Sequence, residues 1–250
     1  MPVRLLTPIE KNHLIRFGFD PEKISDFGEK PVEYITGFSQ FIDQDLVVDQ
    51  HVLIPRVETE ELVEKIVDVY SNDKKVKFLE VGTGSGAIGL TIFRKLRAKR
   101  LEVEAELTDI SAQALVIAGK NLVRLIERHD QAKIKLIQAD LLEKIENLSQ
   151  FDFCIANLPY IPSQRIKQLA SSVKDFEPIV ALDGGVDGLT VISKLIVQLK
   201  AKQFKGKLFL EIDDTHDDKK LANLFSGFEN VWKDQFDKNR FASFNFRKKA

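Results

Sequence analysis

Residues 78–89 read Phe78-Leu79-Glu80-Val81-Gly82-Thr83-Gly84-Ser85-Gly86-Ala87-Ile88-Gly89. An apolar run that is typical of a buried strand leads into closely spaced glycines and then into a helical pattern. Glycines permit a tight turn and a close approach of a ligand to the backbone, and the first turn of a helix has unpaired N–H groups. The last six residues also match the G-x-G-x-x-G expression of dinucleotide-binding loops. The stretch therefore predicts a ligand that carries a nucleoside, with a purely structural glycine turn as the alternative.

Strand and helix patterns alternate along the chain from Val76 onward. The predicted strands are Val76–Val81, Val103–Thr108, Ile134–Gln138, Phe151–Ala156 and Lys207–Ile212, followed by β-like pieces near Val231 and at Phe241–Phe246. The predicted helices run from the glycines to about Arg100, from Ser111 to about His129, from about Leu189 to Leu199, and around Lys219–Phe225. Such alternation is typical of an α/β fold in which a mostly parallel sheet carries helices on both faces.

Three regions follow one another along the chain. Residues 1–30 carry helical spacing from Ile9 to Ile15 and form a short helical N-terminal segment. Residues 31–57 contain two β-like stretches, Phe38–Phe41 and Leu46–Val48, which predict a β-hairpin. A helix pattern at Glu58–Tyr70 opens the third region, residues 58–250, which we expect to form the main domain.

Composition excludes several classes of protein. The chain has 250 residues with 44% hydrophobic and 30% charged residues, as expected of a globular protein in water. Lys plus Arg total 37 against 38 for Asp plus Glu, which makes nucleic acid an improbable main partner. A single cysteine, Cys154, and four scattered histidines predict neither a disulfide framework nor a metal site. Neither a signal peptide nor an apolar run of about 18 residues is present, so we expect a cytoplasmic protein.

Two acidic residues follow the next two strands, at the edge where an open α/β sheet binds its ligand. Asp109 comes 20 positions after Gly89, and its carboxylate can accept hydrogen bonds from ribose hydroxyls. The alternative for Asp109 is a helix cap before Ser111. Asp140, which precedes Leu141, can accept a hydrogen bond from an adenine amino group. A helix cap explains Asp140 equally well.

A polar turn, Asn157-Leu158-Pro159-Tyr160, ends the fourth strand. The Asn157 side-chain oxygen and the Leu158 carbonyl are two neutral acceptors that can hold one planar NH2 group. Tyr160 can cover the flat group that carries this NH2. The alternative is an ordinary Asn-Leu-Pro turn in which the aromatic ring anchors the chain to the core.

The glycine loop itself distinguishes between cofactors. Gly82 directly follows the strand, and the acidic Glu80 lies inside the strand end. This E-x-G-x-G-x-G arrangement resembles the first motif of S-adenosylmethionine-dependent methyltransferases more than a nicotinamide-binding fingerprint. S-adenosylmethionine has no pyrophosphate, so its loop needs room for the methionine portion rather than a strong anion site.

The order of these motifs resembles the HemK-like glutamine methyltransferases, which methylate the glutamine in the Gly-Gly-Gln loop of peptide chain release factors. Further segments match the same family. They are Pro31–Gly37, the stretch Val52–Glu60 that looks like its I-P-R-P-E-T-E segment, Glu177-Pro178, and Ala181–Leu189. The resemblance covers about residues 31–212. It implies a Rossmann-like, seven-stranded methyltransferase sheet in residues 58–250, S-adenosylmethionine as cofactor and a release factor as partner.

The resemblance also assigns roles to individual residues. Gly82, Thr83, Gly84, Ser85 and Gly86, next to Glu80, would surround the methionine part of the cofactor. Asp109 would hold the ribose, and Asp140 with Leu141 would border the adenine. Asn157, Leu158, Pro159 and Tyr160 would hold the substrate amide, with Asn157 also adjoining the cofactor.

Four features depart from the family pattern. Leu158 replaces a proline, Val57 replaces another, and Asp213 replaces the glycine that follows Glu211-Ile212. The region before Pro31 is shorter than the family's N-terminal helical bundle. Leu158 still supplies a backbone carbonyl, and Pro159 biases it toward an extended conformation, so we expect the amide site to tolerate this change.

Four alternative functions compete with glutamine methylation of a release factor. The Asn-x-Pro-Tyr turn could hold the exocyclic amine of a nucleic-acid base. A ribosomal-protein glutamine is another substrate in the same chemical class. An inactive S-adenosylmethionine-binding module would fit the four departures. A nicotinamide oxidoreductase is the least favoured, because it leaves Asn157–Tyr160 unexplained.

Overall fold

The main sheet is built by parallel pairing on both sides of the strand that precedes the glycine loop. The computed structural model describes residues 4–224 and 227–247. The strands are β1 (Phe38–Phe41), β2 (Gln44–Val47), β3 (Lys75–Val81), β4 (Glu102–Asp109), β5 (Ile134–Gln138), β6 (Phe153–Ala156), β7 (Lys207–Glu211), β8 (Phe228–Lys233) and β9 (Asn239–Asn245). Their order in the main sheet is β5-β4-β3-β6-β7-β9-β8. The first five of these are parallel, and β9 pairs antiparallel with β7 and β8. The seven-stranded α/β sheet predicted above is confirmed.

Helices cover both faces of this sheet. They are α1 (Pro8–Arg16), α2 (Val32–Thr36), α3 (Val57–Tyr70), α4 (Ala87–Ala98), α5 (Ala112–Leu125), α6 (Arg128–Gln131), α7 (Ser163–Ile166), α8 (Ser171–Lys174), α9 (Thr190–Ala201) and α10 (Asp218–Leu224). Short 3-10 turns lie at Pro21–Phe27, Leu148–Gln150 and Ile179–Ala181. None of the helices in the described part of the chain is long and apolar enough to cross a membrane.

The alternation of side chains along the central strands creates two cores. Successive residues of a strand point to opposite faces, so Phe78 enters one core and Leu79 enters the other. Phe153 stacks on Phe78 with ring centroids 5.1 Å apart in the core that α3, α4 and α5 cover. Cys154 is fully buried in the opposite core, against α9. The two cores fix the position of the strand ends from which the loops of the site emerge.

The hairpin predicted for residues 31–57 forms from β1 and β2. Phe38 pairs with Val47 and Phe41 pairs with Gln44 in an antiparallel register. The second strand begins at Gln44, earlier than the predicted Leu46, because the turn between the strands is only two residues long. Hydrogen bonds between the hairpin backbone and the side chains of Glu60 in α3 and Asn121 in α5 hold this hairpin against the main domain.

Several predicted helix boundaries differ from the structure. The helix predicted for Ser111–His129 ends at Leu125, because Ile126 adopts an extended conformation (φ −110°, ψ 129°) that buries its side chain. A separate turn, α6, then follows. Between β6 and α9 the chain forms only short helical turns, which carry too few apolar positions for a pattern to be recognised. The last residue of the predicted helix Lys219–Phe225 lies outside the described residues.

Candidate active site

A cavity of about 340 Å³ lies at the carboxyl ends of β3, β4 and β6. Its volume is in the range of small-molecule sites, and its place at the sheet edge is where doubly wound folds bind ligands. The predicted residues that line it are Gly82, Thr83, Gly84, Ser85, Asp109, Asp140, Leu141, Asn157, Leu158 and Pro159. Three predicted residues, Glu80, Gly86 and Tyr160, lie behind this lining. No group of three potential metal-binding side chains occurs among the residues that the structure describes.

The glycine loop leaves its backbone open to the cavity. Gly82 and Gly84 have φ values of 77° and 55°, in the left-handed region that favours glycine. A Cβ atom on Gly82 would lie 3.0 Å from the Leu158 side chain, so the loop packs directly on the Asn157–Tyr160 turn. A Cβ atom on Gly84 would meet nothing within 4 Å. The loop thus provides a bare backbone surface, which fits the room needed by the methionine part of S-adenosylmethionine.

Glu80 supports this loop from behind. Its Oε2 accepts hydrogen bonds from the Thr83 hydroxyl (2.6 Å) and from the Gly89 N–H (3.1 Å). The side chain is buried and does not reach the cavity, because these bonds hold it against the start of α4. Burial raises the pKa of Glu80 to about 8. Gly86 likewise serves the loop, as the residue before the first turn of α4.

Asp109 lines the cavity and is oriented by the backbone. Its Oδ2 accepts from the Gly84 N–H at 2.8 Å, and its Oδ1 accepts from the Ser111 N–H at 2.9 Å. The cap of α5 is Ser111 itself, whose hydroxyl accepts from the Ala114 N–H. Burial raises the pKa of Asp109, and the two backbone bonds oppose that rise. A third backbone hydrogen bond, from the Ile110 N–H, also lowers the pKa of this carboxyl. A carboxylate has about four acceptor positions, so a position remains for a ribose hydroxyl.

Asp140 and Leu141 form the far side of the cavity. Leu141 has a positive φ of 53°, and a turn rather than a helix follows Asp140. The Asp140 carboxylate is paired with Lys194 of α9, at 2.5 Å between Nζ and Oδ2. Lys194, which also lines the cavity, was not found from the sequence, since it lies 54 residues away in an ordinary helix pattern.

The polar turn after β6 carries two acceptors on consecutive residues, Asn157 and Leu158. Asn157 donates through Nδ2 to Glu211 (3.0 Å) and to the Thr59 hydroxyl (3.4 Å). No described residue donates a hydrogen bond to Asn157 Oδ1 or to the Leu158 carbonyl. The Leu158 side chain is buried in the core beneath the loop. The replacement of the family's proline by Leu158 therefore leaves the backbone acceptor in place.

Tyr160 anchors this turn. Its hydroxyl donates to Glu211 Oε1 at 2.7 Å, and its ring packs against the core on the α9 side of the sheet. Burial and the neighbouring Glu211 carboxylate raise the pKa of Tyr160 well above its ordinary value. The ring does not line the cavity. The geometry thus matches the anchoring interpretation of Tyr160, while a contact between its ring and the substrate remains a prediction.

Glu211, the last residue of β7, connects the elements of this turn. Its two oxygens accept hydrogen bonds from Thr59 (2.6 Å), Asn157 (3.0 Å) and Tyr160 (2.7 Å). Burial raises the pKa of Glu211, and the hydrogen bonds from Thr59 and Tyr160 oppose that rise. Three donors on two oxygens match an ionised carboxylate. Sequence reasoning missed this role of Glu211 and Thr59; an acidic residue ending a buried strand was the available signal.

A second ion pair joins two segments that matched the family pattern. Arg56 contacts Glu177 at 2.7 Å, and the Ile54 N–H donates to the same carboxylate at 3.4 Å. Glu177 is buried, which raises the pKa of its carboxyl, and Arg56 opposes that rise. Arg56 therefore pairs with Glu177 and not with the nearby Glu58. This pair fixes the segment between β2 and α3 at the mouth of the cavity.

The structure shows where two residues that depart from the family pattern, Val57 and Asp213, lie. Val57 is the exposed first residue of α3. Asp213 accepts hydrogen bonds from Arg165 at 2.7 Å and from the Thr215 hydroxyl at 2.6 Å. Its pair with Arg165 ties the segment after the Asn157–Tyr160 turn to the end of β7.

Comparison with known proteins identifies the relatives of this chain. A family model described as "Methyltransferase small domain" matches residues 59–173. The release factor glutamine methyltransferase of Leptospira interrogans is 34% identical over 95% of this chain and 81% of its own length. Those of Bacillus subtilis and Koribacter versatilis are 36% and 38% identical, over 82% and 72% of this chain and 69% and 61% of their own lengths.

A solved structure supports the fold alone. The catalytic domain of hMettl16 in complex with a MAT2A 3′UTR hairpin superimposes with a TM-score of 0.60 at 17% sequence identity. The match covers 81% of this chain and 76% of that one.

The sheet, the glycine loop and the cavity define the class of Rossmann-like, S-adenosylmethionine-dependent methyltransferases. The similarity to the curated relatives is more specific. The chain belongs to the release factor glutamine methyltransferase family, and the resemblance stated from its motifs is confirmed. It spans 61% and 64% of the length of the relatives from Koribacter versatilis and Lactococcus lactis.

The buried Glu80 predicts a pH-dependent stability. Its pKa rises from 4.5 to about 8 on folding, so the unfolded chain ionises first as the pH increases. The stabilisation is complete below the unfolded pKa and is lost as the pH rises through the folded value. Glu80→Gln retains an acceptor for Thr83 and cannot ionise. Its free energy of unfolding should therefore rise relative to the parent between about pH 5 and about pH 8, as measured by urea titration. A constant difference across this range would show that Glu80 does not titrate there.

Proposed function

We propose that the protein transfers the methyl group of S-adenosylmethionine to the side-chain amide nitrogen of a glutamine. The substrate that we propose is the Gly-Gly-Gln loop of a peptide chain release factor. One observation carries this proposal. Asn157 and Leu158 line the cavity beside the glycine loop, and neither Asn157 Oδ1 nor the Leu158 carbonyl has a donor among the described residues.

The chemistry of these acceptors favours a primary amide. A glutamine side chain presents two N–H donors in one plane, and two adjacent oxygens can accept both. Binding such a group satisfies two acceptors that would otherwise lose their water partners when the cavity closes over a substrate. An ionised carboxylate or a carbonyl substrate offers no donors to these atoms.

The cofactor has a complementary set of residues on the other side of the cavity. We propose that Gly82–Ser85 adjoin its methionine part, that Asp109 accepts from its ribose, and that Asp140 and Leu141 adjoin its adenine. Glu80 and Gly86 contribute indirectly, by supporting the loop. When bound, S-adenosylmethionine supplies a methyl group that is already strongly electrophilic.

The protein's own contribution is orientation and exclusion of water. An amide nitrogen is a poor nucleophile because its lone pair is delocalised, so its alignment matters more than general-base assistance. Asn157 and Leu158 hold the two amide protons and thereby fix the direction of the nitrogen. When the methyl group moves from sulfur to nitrogen, the nitrogen gives up one of these two protons to water. Apolar residues of the lining, including Leu53, Ile88 and Val180, exclude water around it. Well-oriented intramolecular reactions gain about 7–11 kcal/mol from such positioning.

The cavity lining argues against a nucleic-acid base as substrate. Enzymes that act on flipped bases commonly stack them between aromatic side chains. Among the described residues that line the cavity there is no Phe, Tyr or Trp. The two cations of the lining, Arg56 and Lys194, are each paired with a carboxylate. These features favour a protein amide over a phosphate-bearing substrate.

The division into regions supports a role for the N-terminus in recognition. We propose three regions: a short helical segment, residues 1–30, a β-hairpin linker region, 31–57, and a methyltransferase domain, 58–250. A small core of Leu14, Ile24 and Val32 supports a separate N-terminal unit, whereas Phe41 and Leu46 of the hairpin pack in the core of the main domain. We also propose a cytoplasmic location, because release factors act on ribosomes there.

The cofactor proposal predicts a selective effect on thermal stability. S-adenosylmethionine should raise the melting temperature, whereas NAD should leave it unchanged. A ligand at a hundredfold excess over its Kd stabilises by about 2.7 kcal/mol, which corresponds to about 5–11 °C for a chain of this size. Differential scanning fluorimetry with both ligands checks this. Stabilisation by NAD alone would support the oxidoreductase alternative.

The amide site predicts where the methyl group goes and what it depends on. With a release factor and labelled S-adenosylmethionine, mass spectrometry should locate one methyl group on the glutamine of the Gly-Gly-Gln loop. Asn157→Ala removes one acceptor, and we expect kcat/KM to fall roughly 10- to 100-fold, as for the loss of one buried hydrogen bond. Asn147→Ala, a change in a surface turn cap, is the control and should retain the parent rate.

Three results would contradict this proposal. Equal rates for Asn157→Ala and the parent would remove Asn157 from the site. Methyl transfer to a ribosomal protein or to RNA, and not to the release factor, would replace the proposed substrate. Cofactor binding without transfer to any of the three would support the inactive-module alternative.

A further inference from the structure

The side chain of Asn121, in the middle of α5, joins three parts of the molecule. It is fully buried, although it is polar and lies outside the cavity lining. Its Oδ1 accepts from the Val47 N–H at 2.7 Å. Its Nδ2 donates to the Val47 carbonyl at 2.9 Å and to the Ser85 carbonyl at 2.8 Å. Three of the four hydrogen-bonding positions of the amide are thus used: both N–H groups donate, and the oxygen accepts one bond.

The hydrogen bond to the Ser85 carbonyl restrains the glycine loop, Gly82–Gly86, which is the proposed cofactor loop. Because a peptide unit is planar, fixing the Ser85 carbonyl also fixes the direction of the Gly86 N–H. That N–H donates to the Thr83 carbonyl at 2.8 Å and closes the turn of the loop. Glu80 supports the same loop from the sheet side, through Thr83 and Gly89. Asn121 is therefore a second, independent support, and it acts from the side of α5.

The two hydrogen bonds to the Val47 backbone hold the end of the hairpin against α5. Val47 is the last residue of β2 and precedes His51, the first cavity-lining residue of the next segment, by four positions. The same amide thus holds the end of the hairpin and the cofactor loop at a fixed separation. The hairpin connects the N-terminal segment to the main domain, so this contact lies between the proposed recognition region and the cofactor site.

We infer that Asn121 is a positioning residue that sets the conformation of the cofactor loop and couples it to the hairpin. This inference rests on the proposed function only for the identity of the cofactor. Asn121 does not touch the substrate, and it acts through Ser85 and Val47. Loss of its amide should weaken cofactor binding while leaving the transfer step itself largely unchanged once the cofactor is bound.

Three variants test this inference. Asn121→Ala removes all three bonds, and Asn121→Asp retains only the acceptor for the Val47 N–H while placing a charge near two carbonyls. Val103→Ala is the control, because it truncates a buried side chain near the start of β4, at the end of the sheet opposite to the loop. Chemical unfolding identifies conditions under which all three variants are fully folded.

The main readout is the Kd for S-adenosylmethionine, measured by calorimetry without any substrate. We expect both Asn121 variants to raise this Kd roughly 5- to 100-fold, the equivalent of one lost buried hydrogen bond. Val103→Ala should stay within about twofold of the parent, since distant sites act independently. In steady-state assays the KM for the cofactor should rise with the Kd, whereas kcat at saturating cofactor should stay within about threefold. Amide hydrogen exchange at Val47 should also become faster in Asn121→Ala.

The outcomes separate this inference from the proposed function. An unchanged Kd in both Asn121 variants, or an equal rise of the Kd in Val103→Ala, would show that Asn121 has only a structural role and does not position the cofactor loop. A parent that binds the cofactor but does not methylate a release factor would overturn the proposed substrate alone. A parent that does not bind S-adenosylmethionine would overturn both.

Discussion

A buried carboxylate is the interaction on which the proposed substrate side of the site depends. Glu211 accepts hydrogen bonds from the Asn157 amide N–H, the Tyr160 hydroxyl and the Thr59 hydroxyl. Because these bonds occupy the Asn157 nitrogen, the side-chain oxygen is left as a free acceptor. A buried charge is costly unless donors surround it, so the carboxylate and its three partners stabilise one arrangement. The orientation of the amide acceptor is in this way a consequence of the end of β7.

The cofactor side and the substrate side share one framework. The glycine loop follows β3, and the Asn157–Tyr160 turn follows the neighbouring strand β6. Gly82 packs against Leu158, so a displacement of either loop would displace the other. Glu80 and Asn121 support the glycine loop at different residues, while Glu211 supports the turn. Supports of this kind hold reacting groups within the small tolerances that catalysis by orientation requires.

Sequence patterns predicted the sheet well because β6 and β7 contain apolar runs and β4 alternates between charged and apolar residues. The motifs at Gly82–Gly86, Asp109 and Asn157–Tyr160 were placed at one sheet edge by the parallel topology alone. The supporting residues could not be found in this way. Glu211 and Asn157 are 54 positions apart, and Asn121 and Val47 are 74 apart, so no local pattern reveals their contacts. The end of α5 was misplaced for a similar reason, since the burial of Ile126 depends on tertiary packing.

If Glu211 orients the Asn157 amide, the two residues should be coupled in catalysis. Glu211→Gln keeps the size of the side chain but replaces one carboxylate oxygen by an NH2 group. This group donates hydrogen bonds and cannot accept them, so the Asn157 amide loses its fixed orientation. The measurement is a double-mutant cycle on kcat/KM for release factor methylation, with Glu211→Gln, Asn157→Ala and the pair. We expect Glu211→Gln to lower kcat/KM about 10- to 100-fold in the parent and less than about twofold in the Asn157→Ala background. Losses that multiply in the double variant would show that Glu211 does not act through Asn157, and would contradict the account.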